Sequence, residues 1–219
     1  MSFMNEMKKK VAVRSRESKL SHFYSLCKEG MTVLDVGVSN ETKRVEPETT
    51  NYFLKSFRYD AKFYTGLSIE DIDGMDKLFP GKRIVQYPGG VMPFQDKEFD
   101  WVFSNAVIEH VGDYASQLQF LNELLRVAHN VFFTTPSKYF PVESHSNLFF
   151  LHWNSALFYR YCASKNVWWT SIERLNLLSG YRLRQLVEQS NSDSYEITSN
   201  RVLLMPMTYT VVCSQGKTG

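Results

Sequence analysis

Five short apolar runs, each closing on small or polar residues, constrain this chain more than any other feature. They are "MTVLDVG" (31–37), "AKFYTGLS" (61–68), "KRIVQYP" (82–88), "FDWVFSN" (99–105) and "NVFFTTP" (130–136). Each is short, apolar and rich in β-branched or aromatic residues, so each reads as a buried strand. Helical periodicity fills the gaps. Residues 15–28 set Leu20, Phe23, Tyr24 and Cys27 on one side, residues 49–57 suit a shorter helix, and Leu118, Leu121, Leu125 and Ala128 share a face behind an N-cap at Asp113. Strands alternating with helices predict an α/β fold: a doubly wound, mostly parallel sheet with helices on both faces. A helix at about 180–190 (Leu183, Leu186, Val187) then precedes "YEITSNRVLLM" and "MTYTVVCS". No helix fits between those two runs, so the expected sheet has seven strands, one of them antiparallel near an edge.

The 219 residues form one expected domain over 1–219, with a basic arm at 1–14 and a long aromatic cap or acceptor insertion at 137–170. Charge supports the separate arm. Residues 1–19 carry six Lys or Arg against Glu6 and Glu17, which leaves 19 basic and 21 acidic residues in the body. The body therefore lacks the basic surplus of a nucleic-acid binder, and nucleic acid is disfavoured as a partner. Cys27, Cys162 and Cys213 lie far apart with no CxxC pair, which argues for a reducing, cytoplasmic setting and against a structural zinc site. No run reaches the roughly 18–20 apolar residues of a membrane-spanning helix, and the N-terminus has no signal-peptide core.

In open α/β sheets ligands bind beyond the carboxyl ends of the strands. Here those ends read Asp35-Val36-Gly37-Val38-Ser39-Asn40, Gly66-Leu67-Ser68-Ile69-Glu70-Asp71, Pro88-Gly89-Gly90, Ser104-Asn105 and Thr134-Thr135-Pro136. All are small or polar, as a crevice requires. A dinucleotide would need G-x-G-x-x-G to seat its pyrophosphate, and the first loop has Gly37 alone behind an acid that repels phosphate. A cofactor with a cationic centre and no phosphates suits it better.

"VLDVGVSN", "YTGLSIEDID", "MPFQDKEFDWVFSNAVIEHV" and "VFFTTPSKYFP", in this order, resemble the class I S-adenosylmethionine-dependent methyltransferases. The nearest branch is the small-molecule, type-11-like one, whose members read L-P-F-x-D-x-x-F-D followed by an E-H pair. The resemblance covers about residues 30–140 and implies a Rossmann-like methyltransferase fold. It also implies S-adenosylmethionine as cofactor, with S-adenosylhomocysteine as product. Asp35 and Gly37 should border the methionine portion, with Val38 and Ser39 beside them. An acid after the second strand should take the ribose hydroxyls. Ser68 occupies the family's usual position, so Glu70, next to Ile69, is the expected acid. The family's adenine-binding acid is replaced by Pro88, which leaves the backbone of Gly89 and Gly90. Ser104 and Asn105 should close the pocket.

The stretch "SKYFPVESHSNLFFLHW" follows the fifth run, where this family often builds its acceptor pocket. His110, Glu143 and His145 are the catalytic candidates: a general base with an orienting carboxylate, with His152 also within the stretch. The spacing E-x-H-x₆-H matches no zinc pattern, so no metal is expected. Phe149, Phe150, Trp153, Phe158, Tyr159, Trp168 and Trp169 suit an apolar acceptor pocket, or more plainly a helical cap over the sheet, and the two readings are not exclusive. The expected function is methyl transfer by in-line displacement to a small or lipid-linked acceptor, with peripheral membrane contact as one route to a lipid. The missing loop glycines motivate the alternative, a non-catalytic cofactor-binding or interaction module.

Overall fold

Each of the first three apolar runs becomes a strand, and the three pair in parallel. The computed structural model describes residues 3–43 and 50–216 and divides the chain into two compact units, Met1–Pro88 and Gly89–Gly219. The side chains of residues 3–12 and residues 44–49 of the first loop lie outside the described residues, so most of the basic arm does too. In the first unit the elements are α1 (Phe3–Leu26), β1 (Val33–Val36), α2 (Tyr52–Ser56), β2 (Tyr64–Ser68), α3 (Met75–Leu78) and β3 (Arg83–Gln86). Strand order is β3-β2-β1, with Asp35 opposite Gly66 and Gly66 opposite Ile84. The helix expected at 15–28 extends back to Phe3. Its first half is too charged to show an apolar stripe, so periodicity marked only the second half. There Phe23 meets Phe53 of α2 edge-on at 5.3 Å, and Leu34, Leu54 and Leu67 of the same unit are fully buried.

The second unit holds β4 (Phe99–Asn105), α4 (Tyr114–Val127), β5 (Ala128–Pro136), α5 (Ser155–Ser164), α6 (Gly180–Glu188), β6 (Ser194–Val202) and β7 (Met205–Ser214). β4 and β5 are parallel, while β7 runs antiparallel to both β5 and β6 and lies between them. Seven strands with an antiparallel member toward the edge match the expectation. Asp113 caps α4 as expected, accepting from the Ser116 amide at 2.9 Å.

The segment 137–170 contains α5, which the sequence reading as a helical cap allows but whose bounds no periodicity marked. That helix buries only Phe158 and Cys162, so its outer faces obscure the period. Phe158, Cys162 and Leu175 form a small core of their own, with Leu148, Leu151, Tyr159 and Trp169 packed around it. Phe158→Ala is expected to destabilise the protein by about 3 kcal/mol, the usual cost of emptying a closed aromatic site. Urea denaturation measures it, and a loss under about 1 kcal/mol would mean the cap packs without it.

Candidate functional site

The loop after β1 is held by side chains. Gly37 turns at φ 101°, and the Gly37 and Val38 amides both donate to the Leu67 carbonyl at the end of β2. Val38 then points inward, only 3% exposed, and fills the space over Gly66: a Cβ there would lie 3.0 Å from Val38 Cγ2. The Ser39 amide donates to Asn51 Oδ1 at 2.9 Å, and Asn51 Nδ2 returns to the Ser39 carbonyl at 2.7 Å. Asn40, 1% exposed, ties this loop to the next one. Its amide donates to Glu70 Oε2 at 2.8 Å and its Nδ2 to the Asp71 carbonyl at 2.6 Å, while Oδ1 accepts from Thr42. Glu41 closes the network, accepting from Thr50 and Asn51 and pairing with Lys55 at 2.8 Å.

After β2, Ser68 is fully buried and its Oγ accepts from the Glu70 amide at 3.0 Å. That turn carries the chain past the family's usual acidic position and aims Glu70 at Asn40. Ile69 between them is 69% exposed.

Asp35 is placed differently from a crevice-lining acid. It is 7% exposed, and its Oδ2 accepts from the Tyr64 hydroxyl at 2.6 Å. Burial raises its carboxyl to about 7, against the lowering effects of that hydrogen bond and of Lys82. Burial and the Asp35 charge push Tyr64 well above the usual phenol range, so it remains a donor. Lys82 is lowered by burial and donates to the Leu54 carbonyl.

In the second unit, Gly89 (φ 94°) and Gly90 (φ 79°) meet nothing within 4 Å of where a Cβ would stand. Only glycine holds that backbone without strain, and the bare chain there is open to close approach. Ser104, next to last in β4, has its hydroxyl buried and unpartnered among the described residues. Asn105 is exposed, and its Oδ1 accepts from Thr134 at 2.7 Å.

The strand then enters the turn Ile108–His110 through Ala106, at φ 59°. Gln117 grips that turn through the Ile108 carbonyl at 3.1 Å, and the Asn176 amide donates to the Glu109 carbonyl at 2.7 Å. The structure brings the three catalytic candidates together here. His110 Nε2 lies 3.1 Å from His145 Nε2, and His145 Nδ1 lies 2.6 Å from Glu143 Oε1. Glu143 also accepts from the His145 and Ser146 amides and the Ser146 hydroxyl. Burial raises the Glu143 pKa, but the donors from His145 and Ser146 bring it down to about 2. Burial also lowers His145, yet the hydrogen bond and charge of Glu143, with Glu109 behind them, leave it above the usual histidine value.

His152 is spent elsewhere, its Nε2 2.9 Å from the Phe140 carbonyl. Of the aromatic residues, Phe158 is inside the cap core and Phe149, Phe150, Trp153 and Trp168 are exposed. Trp169 packs against the two site histidines, with ring centroids 5.3 Å from His110 and 4.9 Å from His145. Sequence reasoning missed Asn40, Glu41, Asn51, Thr135, Gln117 and Asn176. Only Asn40 and Thr135 carried a signal, their place near the ends of β1 and β5.

Residues 54–130 match the family described as the methyltransferase domain. A solved structure from Thermotoga maritima, titled a SAM-dependent methyltransferase and possible histamine N-methyltransferase, shares 13% identity at a TM-score of 0.57, covering 98% of this chain and 96% of that one. A SAM-dependent methyltransferase from Methanosarcina mazei shares 14% at 0.59, covering 90% and 96%. One from Aquifex aeolicus shares 18% at 0.52, covering 90% and 87%. No curated protein matches the sequence. Such low identities speak for the fold. Residues 54–130 thus match the methyltransferase domain family, and the chain has the Rossmann-like fold of the S-adenosylmethionine-dependent methyltransferases that its sequence resembles.

Proposed function

We propose that this protein binds S-adenosylmethionine and transfers its methyl group to a small or lipid-linked acceptor. The carrying observation is the methyltransferase-domain match over residues 54–130, which spans the loops after β2, β3 and β4. The residues present fit the cofactor. Ser104 offers a buried hydroxyl with no partner among the described residues, and Gly89 and Gly90 leave a bare stretch of backbone. Bound there, the cofactor supplies an activated methyl group, so the chain's task is orientation and exclusion of water.

In this reading Gly37, Val38 and Ser39 shape the methionine end and Asp35 supports them from beneath through Tyr64. Glu70 takes ribose hydroxyls while its Oε2 pins Asn40, and exposed Ile69 offers apolar surface to the adenine. Within the second unit, Gly89, Ser104 and Asn105 are the residues that offer polar contacts. His110, Glu143 and His145 receive the acceptor. No helix among the described residues is long and apolar enough to cross a membrane, so a lipid-linked acceptor would be met from the surface.

Calorimetric titration with S-adenosylmethionine, and separately with S-adenosylhomocysteine, tests the reading. Micromolar binding of both supports it, and no binding by the folded protein leaves the non-catalytic alternative. Glu70→Ala is expected to weaken S-adenosylhomocysteine about tenfold, roughly 1.4 kcal/mol, and Asp71→Ala less. The reverse order would assign the ribose to the wrong acid.

A further inference from the structure

Glu109, His110 and His145 bring one carboxylate oxygen and two imidazole nitrogens within 4.8 Å of one another. Their neighbours decide which atoms are left over. His110 Nδ1 lies 3.0 Å from the Arg174 carbonyl, which can only accept, so that nitrogen carries hydrogen. His145 Nδ1 carries hydrogen for the same reason, facing the Glu143 carboxylate at 2.6 Å. In the neutral rings both Nε2 atoms are therefore bare lone pairs, and they face each other at 3.1 Å. Something positive has to lie between them.

Glu109 distinguishes a proton from a larger cation. It is fully buried, its Oε2 accepts from Thr135 Oγ1 at 3.1 Å, and its Oε1 has no partner among the described residues. A proton shared by the two rings would satisfy the nitrogens and leave that oxygen stranded in the interior, which is costly. A metal ion would satisfy all three atoms once they draw in toward it from their present spread of up to 4.8 Å.

The outer contacts have the form metal ligands need. A backbone carbonyl holds His110, a carboxylate holds His145 and a hydroxyl holds Glu109, each fixing the ligand from its far side. With metal–nitrogen bonds of about 2.1 Å, nitrogens 3.1 Å apart subtend an angle near a right angle at the ion. That is closer to six-coordinate geometry than to a closed tetrahedral site.

We propose that Glu109, His110 and His145 bind one divalent first-row transition-metal ion, with Trp169 walling one side and the remaining coordination positions open. Two imidazoles and a carboxylate with open positions suit Mn²⁺, Co²⁺ or Zn²⁺ more than Mg²⁺. The open positions would take an oxygen of the acceptor, polarising it and holding it still. Only this last step rests on the methyl-transfer reading; metal binding does not.

The test is titration of chelator-treated full-length protein with Co²⁺, followed by calorimetry and by visible absorption, with Zn²⁺, Mn²⁺ and Mg²⁺ compared. One equivalent of Co²⁺ is expected, with an absorption band shifted from that of the aqueous ion. His145→Asn and Glu109→Gln should each weaken it at least tenfold. Should Glu109→Gln fail to fold, the less buried His145→Asn carries the test. Folded protein that takes up no stoichiometric Co²⁺, Zn²⁺ or Mn²⁺, or binding unchanged in His145→Asn, would overturn the proposal. S-adenosylhomocysteine affinity is measured on the same samples without metal. Loss of cofactor binding with metal uptake intact would remove the methyl-transfer reading and leave the metal site standing.

Discussion

Asp35→Asn is expected to stabilise the protein at pH 8 and to flatten its loss of stability between pH 4 and 7. Burial holds the Asp35 carboxyl at about 7 in the folded chain, well above its ordinary value of 3.8. The raised folded value sets the sign. Below pH 4 both states are protonated. Between about 4 and 7 the folded chain keeps a proton that the unfolded chain has released, so stability falls by about 1.4 kcal/mol per pH unit. Above pH 7 both states are ionised and the loss is complete, on the order of 4 kcal/mol. The amide of the variant cannot ionise, yet its side-chain oxygen can still accept from the Tyr64 hydroxyl that now lies 2.6 Å from the carboxylate. Urea denaturation of both proteins at pH 4.5, 6 and 8 measures the effect. Parallel profiles would mean that the carboxylate is compensated when charged. Asp35→Ala is a poorer probe of cofactor binding than the sequence suggested. It strands the Tyr64 hydroxyl, 1% exposed, at a cost of about 1–3 kcal/mol.

Asn40→Ala should have the largest effect on cofactor affinity. The change removes the donor to the Asp71 carbonyl and the acceptor for both Thr42 groups, and it leaves only the backbone link to Glu70. Three partly buried bonds are lost, so we expect about 2 kcal/mol of destabilisation and a weakening of S-adenosylhomocysteine by about 10–100-fold. Asn40→Asp keeps the acceptor and should recover part of the loss. Unchanged affinity in Asn40→Ala would show that the joined loops do not hold the cofactor.

Strand ends were legible because two signals agree there: an apolar run stops and small polar residues begin. "FDWVFSN" is β4 without adjustment, while "AKFYTGLS" loses Ala61–Phe63 to a 3-10 turn capped by Asp60. The bounds of α5 were hidden because it buries two residues only. At the candidate site, the sequence named Glu109 and His110 as a pair and placed Glu143 and His145 in the cap. Nothing in it signalled that His110 and His145, 35 positions apart, would meet, since that contact depends on how the cap folds back. Asn40 and Asn51 were unreadable for the same reason. Loop asparagines are common, and only the fold shows which ones bridge two segments.

The position of β7 has a consequence for how the second unit is made. This strand comes after β6 in the chain but lies between β5 and β6, joined to β5 from Asn130↔Ser214 to Pro136↔Thr208. During synthesis β5 emerges with one edge open, and it stays open while the cap, α6 and β6 follow. β6 cannot cover that edge, because its place is one strand further out. The sheet of this unit closes only when Met205–Ser214 arrives and pairs on both sides at once. An exposed strand edge recruits other chains, and distant pairings form slowly. The interval before β7 docks is therefore when nascent chains are most exposed to misassembly, and the final hairpin acts as the latch that ends it.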